Sequence, residues 1–102
     1  MVVAAGPAHG NLVVWAPASL EGAEIEIRTA GGSWDGQHVA VRRRDVHPGP
    51  RWAALFGGLA HGRYELRLRA AGGPPDVPVA SAVLVVDVAA PVTEACWPDP
   101  GA

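Results

Sequence analysis

Asp45 and His47 lie two positions apart in Arg43-Arg44-Asp45-Val46-His47-Pro48. On an extended strand that spacing puts both side chains on one face, where a carboxylate can orient an imidazole as a general base. Such a pair needs a nucleophile, and the serines on offer are Ser19, Ser33 and Ser81. None sits in a nucleophile-elbow motif, and Ser81 opens an apolar run where it reads as a strand-pairing residue. A small hydrolase using His47 or His61 with Asp45 therefore lacks its attacking group. The histidines, His9, His38, His47 and His61, are not at the tight spacings of metal ligands. Cys96 is alone, so neither an intramolecular disulfide nor a cysteine cage can form, and no cofactor is expected.

Two other groups point to binding rather than turnover. Arg42, Arg43 and Arg44 face Arg51 across His47-Pro48-Gly49-Pro50. Paired as a hairpin, they would offer forked guanidinium donors to an anionic ligand or an acidic partner. The same charges also suit a solvated edge strand, where they block sheet-to-sheet aggregation. There they would pair with Asp45, Glu24 or Glu26 at ~0.2–1 kcal/mol each. Trp34 and Asp35 lie in the loop Gly31-Gly32-Ser33-Trp34-Asp35-Gly36. A loop indole either tucks over the end of a fold or stays open to a sugar ring or a protein. Trp15, Trp52 and Trp97 fall in strand patterns and are expected in the core or between sheets.

The elements that must carry these residues are strands. No segment keeps a helical period, and Gly and Pro punctuate short alternating runs. Seven strands are expected, beginning with 11–15, apolar on both faces, and 23–28, with Ile25 and Ile27 opposite Glu24, Glu26 and Arg28. A third spans 37–46 and a fourth 51–56, after which Gly57 to Gly62 turns the chain. The fifth, 63–69, alternates Tyr64, Leu66 and Leu68 against Arg63, Glu65, Arg67 and Arg69. The apolar run 79–88 reads as a central or doubly covered strand, and 92–97 closes the set. The expected fold is an all-β, seven-stranded antiparallel β-sandwich over 11–97. Residues 1–10 and 98–102 are expected to be flexible tails.

Composition narrows the partners. With 102 residues there is room for one domain. The net charge of −2 gives no electrostatic footprint for nucleic acid. The apolar run is broken by Asp87 and is too short to span a bilayer, and the first residues lack the basic start of a secretory signal. A lone cysteine suits a reducing compartment, so a cytoplasmic location is expected. All eight basic residues are Arg, which fits a GC-rich genome.

The stretch Phe56-Gly57-Gly58-Leu59-Ala60-His61-Gly62-Arg63-Tyr64-Glu65-Leu66 resembles the F-x-x-L-x-x-G-x-Y-x-L hairpin of prealbumin-like domains. These include the carboxypeptidase regulatory-like domains, the Cna B-type repeats and small stand-alone actinobacterial proteins. The resemblance covers roughly residues 11–69 and implies a prealbumin- or immunoglobulin-like Greek key. In it Leu59 plugs the core, Gly62 takes the turn and Tyr64 starts the next inward face. Departures remove the relatives' known chemistries. There is no Lys for an isopeptide bond, and the His-His-Arg-Ser set of the hydroxyisourate hydrolases is not matched. The threonine and Asp-Gly turn that usually precede the hairpin are replaced by Arg43-Arg44-Asp45-Val46-His47-Pro48.

The expected function is therefore a non-catalytic protein–protein interaction or scaffolding module, whose partner is another protein or a second copy in a homo-oligomer. Its candidate contact residues are Trp34, Asp35, Arg42, Arg43, Arg44 and Arg51. The alternatives are a small-ligand or carbohydrate-binding sandwich using Trp34, and the hydrolase based on His47 and Asp45.

Overall fold

The computed structural model describes residues 9–69 and 83–98. They form eight strands: β1 His9–Ala16, β2 Glu24–Thr29, β3 His38–Ala40, β4 Arg42–Val46, β5 Gly49–Ala60, β6 Gly62–Arg69, β7 Leu84–Val88 and β8 Val92–Cys96. A short 3-10 turn, Ala18–Leu20, joins β1 to β2. The strands make two four-stranded sheets, ordered β4-β5-β1-β8 and β3-β2-β6-β7, packed as a sandwich. Alternation explains what lies between them. Leu12 and Val14 of β1, Ile25 and Ile27 of β2, Phe56 and Leu59 of β5, Leu66 and Leu68 of β6, and Val86 and Val88 of β7 are all buried in one cluster. Each such side chain removed from water contributes ~1.5–3 kcal/mol.

The expected seven strands become eight among the described residues because 37–46 divides. β3 pairs with β2 in one sheet and β4 with β5 in the other. Val41 is the crossing residue, fully buried, its N–H donating to Ala23 O at 2.8 Å and its carbonyl accepting from Gly22 N–H at 2.9 Å. No Gly or Pro marks this switch. Val39 and Val41 keep one apolar phase through it, so the sequence reads as one strand.

The Gly57-Gly58 pair is a bulge rather than the start of a turn. β5 runs on to Ala60, and its register against β1 shifts between Gly10↔Leu59 and Leu12↔Phe56. Two glycines thus oppose the single residue Asn11, whose Oδ1 accepts the Gly58 N–H at 3.1 Å. Gly58 has φ +67°, the left-handed conformation such a bulge requires. Leu59 and Tyr64 enter the core, and the Tyr64 hydroxyl donates to Ala60 O at 2.6 Å.

Three further expectations are corrected. The sandwich is not wholly antiparallel: β1 and β8 run parallel, in register from Asn11↔Val92 to Trp15↔Cys96. Among the described residues β7 is an edge strand with Val85 54% exposed, not a central or doubly covered one; residues 79–82 of that run lie outside the described residues. β1 starts at His9, two residues inside the segment read as a tail. There the buried Gly10 packs so close that a Cβ would run into the Ala90 carbonyl oxygen. Of the three tryptophans expected inside, Trp97 is buried and Trp52 packs half-buried on the core, its Nε1 donating to Glu21 at 3.1 Å. Trp15 alternates with Leu12 and Val14 and so faces outward.

Candidate functional site

The two outer faces of the sandwich carry different chemistry. On the face of β3-β2-β6-β7, register places opposite charges directly across strands: Glu24↔Arg69, Glu26↔Arg67, Arg28↔Glu65 and Arg63↔Asp87. All four close, at 2.8, 2.7, 2.8 and 2.8 Å. The Arg63 hydrogen bond holds the Asp87 carboxyl below the usual carboxylate range, and the same bond raises Arg63. Glu26 is 1% exposed although it points away from the core.

Trp34 belongs to this face. The guanidinium carbons of Arg28 and Arg67 each lie 4.4 Å from the centre of its ring. Both arginines are already matched by Glu65 and Glu26, so the indole roofs a neutralised ion-pair ladder. Trp34, Asp35, Arg28 and Arg67 line an open cleft of about 680 Å³. Asp35 shapes the loop by accepting the Gln37 N–H at 3.1 Å. His38 Nδ1 lies 2.6 Å from Gly36 O and 2.8 Å from Arg69 Nη2.

The outer face of β4-β5-β1-β8 is of another kind. Register aligns Arg44 with Arg51, Arg42 with Ala53, Trp15 with Ala53, and Val13 with Leu55. The parallel strand β8 adds Val92, Glu94 and Cys96 beside Asn11, Val13 and Trp15. Arg51 lies flat on Trp15, 3.6 Å from the ring centre, and the Trp15 Nε1–H donates to Glu94 at 2.7 Å. Arg44 reaches back to Ala53 O at 3.4 Å, while its buried Nε finds no partner among the described residues. Among those residues Arg42, Arg44 and Arg51 have no carboxylate across from them. Arg43 alone of the cluster is ion-paired, with Asp45 at 3.3 Å. The expected pairing of this cluster with Glu24 and Glu26 does not occur, because Arg69 and Arg67 on β6 hold those carboxylates.

Beyond Trp15 the same face turns apolar. Val13, Leu55 and Val92, with Asn11 and Gly57, outline a depression of about 350 Å³. Leu55 is 44% and Val92 56% exposed. Exposed side chains of this size, grouped together, are what an interaction surface looks like.

The six residues singled out from the sequence thus separate. Trp34 and Asp35 lie on one face; Arg42, Arg44 and Arg51 lie on the other, with Arg43 at its edge. Arg28 and Arg67, which hold Trp34, and Val13, Trp15, Leu55 and Val92 escaped the sequence reading. Leu55 was within reach of it, since it shares the period-two phase of Arg51. Asp45 and His47 are both exposed, and no hydrogen bond joins them among the described residues. Ser19 and Ser33 are exposed, and Ser81 lies outside the described residues. No cluster of three or more His, Cys, Asp or Glu able to hold a metal occurs among the described residues, and no helix there is long and apolar enough to cross a membrane. No family model, curated protein or solved structure matches the chain.

Proposed function

We propose that the chain is a non-catalytic protein-binding module and that the outer face of β4-β5-β1-β8 is its contact surface. One observation carries this reading: the exposed apolar depression of Val13, Leu55 and Val92 beside a tryptophan clamped by arginine. Tryptophan and arginine next to open apolar surface are the side chains that dominate protein interfaces. The opposite face has matched its charges internally and offers less to a partner. The β5–β6 corner carrying Leu59 and Tyr64, which crosses between the two sheets instead of closing the expected hairpin, leaves the buried Leu59 and Tyr64 as the support for a prealbumin- or immunoglobulin-like Greek key as the parent architecture. The exposed, unpaired Cys96 supports a reducing, cytoplasmic setting.

The test is affinity capture from the source cells, identification of the captured protein and titration of the purified pair. Leu55→Ser and Val92→Ser should each weaken binding by about tenfold, the loss of one well-buried apolar contact of ~1.4 kcal/mol, while Trp34→Ala leaves it unchanged. Equal binding by all three variants removes this face from the function.

A second reading is favoured by the 680 Å³ cleft: a small ligand or sugar held against Trp34. Titration with neutral and acidic monosaccharides, followed through the Trp34 indole resonance, should then give saturable shifts that Trp34→Ala abolishes. An unmoved resonance ends that reading.

A further inference from the structure

We infer that the partner of this face is an extended, acidic segment of another protein, with a carboxylate seated between Arg44 and Arg51 and an apolar side chain in the Leu55 depression. The inference rests on the docking reading above and names the chemistry of its occupant.

Arg44 and Arg51 stand directly opposite each other across β4 and β5. Like charges in that position repel, and every other charged pair in direct cross-strand register on the opposite sheet is of opposite sign. Arg42 extends the row on the same face of β4, so three arginines share this face with no carboxylate of the described residues across from them. The Arg44 Nε is buried and finds no partner among the described residues, so the charge of this guanidinium is not offset at its inner edge. Arg51 sits over the Trp15 ring at 3.6 Å, a contact that restricts its side chain before any partner binds. A carboxylate accepts forked donors of this kind from two sides at once.

The spacing sets the shape of the segment. Arg51 and Leu55 are four positions apart on one strand, which at the strand rise is about 13 Å. A partner in extended conformation would present an acidic and an apolar residue four positions apart, both on one face by the same period of two. The row does not favour a second copy as occupant, because among the described residues Glu94 is the only carboxylate this face offers in return, and Trp15 already engages it.

The probes are synthetic peptides about ten residues long, in a Gly/Ser background, carrying Glu and Leu four positions apart. Counterparts carry Gln for Glu or Ser for Leu. Titrated into the full-length protein and followed by NMR, the Glu/Leu peptide should shift the Trp15 indole and the amides of Arg44, Ala53 and Leu55. The Gln peptide should bind about tenfold more weakly, as should the double variant Arg44→Gln, Arg51→Gln with the Glu peptide, and about 0.5 M salt should have the same effect. Equal binding of the Glu and Gln peptides, or no shift with either, overturns the acidic occupant. Shifts that instead follow protein concentration without peptide overturn it in favour of a second copy. The docking reading itself is judged separately, by the Leu55→Ser loss on the captured partner, which needs no acidic residue.

Discussion

Replacing Glu26 by alanine should cost about 3–5 kcal/mol of folding stability, the range for removing one partner of a buried ion pair. Glu26 is the least exposed charged residue described, at 1%. Its Oε1 accepts from Arg67 Nε at 2.7 Å, and its Oε2 lies 3.6 Å from Arg69 Nη1. The side chains of Arg67 and Arg69 are themselves only 15% and 7% exposed. Without the carboxylate two guanidiniums remain in a poorly hydrated site, where Arg69 keeps Glu24 and His38. The loss is mostly the excess positive charge left in that site rather than the worth of the pair. Urea unfolding followed by circular dichroism measures it. The contrast is Asp87→Asn, which opens a largely exposed pair with Arg63 and should leave the midpoint nearly unmoved. An equally small effect at Glu26 would mean that Trp34, stacked on Arg28 and Arg67, shields the ladder without any central carboxylate.

Trp97→Ala should cost a similar ~3–5 kcal/mol, the usual penalty for emptying a large aromatic site in a core. Trp97 directly follows the edge strand β8, is 7% exposed, and its N–H donates to Trp15 O at 2.7 Å. Its indole anchors the end of a strand whose only neighbour in the sheet, among the described residues, is β1. The loss therefore reaches the outer face, because β8 brings Val92 and Glu94 to Val13 and Trp15. Thermal unfolding of Trp97→Ala and Trp97→Phe should rank them alanine well below phenylalanine, with the Trp15 indole resonance displaced in the alanine variant. A loss under about 1 kcal/mol would show that the sheets close without this residue.

How much of this was legible in the sequence depends on which physical signal a residue carries. Ile25, Ile27, Leu66 and Leu68 announce their inward face by strict alternation, and the all-β architecture follows from them. Val41 does not announce the sheet switch, since a buried valine satisfies the apolar phase of either sheet. Gly57-Gly58 is ambiguous because turns and bulges both need left-handed backbone, and only the partner strand decides between them. The run ending at Val88 is apolar enough for a central strand, yet its place in the sheet is a matter of topology, which local composition does not encode. The same limit applies to the binding surface. Arg42, Arg43, Arg44 and Arg51 stood out by local clustering, and the β4–β5 hairpin does bring them together. Val13, Leu55 and Val92 come from three strands far apart in the chain, and only the register of β1 with both β5 and β8 makes them neighbours. Trp34 was visible as an odd loop indole, whereas its arginine partners are fixed by the pairing of β2 with β6.

The parallel pairing of β1 with β8 also decides how the domain meets mechanical load. A tension that draws the His9 end of β1 and the Cys96 end of β8 apart pulls the two strands past each other lengthwise. The ladder from Asn11↔Val92 to Trp15↔Cys96 is then sheared as a block, its bonds strained together instead of opened one by one like a zipper. Resistance to forced unfolding is set by the rate of that rupture rather than by equilibrium stability. A sandwich with a modest core can in this way act as a stiff link when stretched along that axis, and give way far more readily when pulled across it.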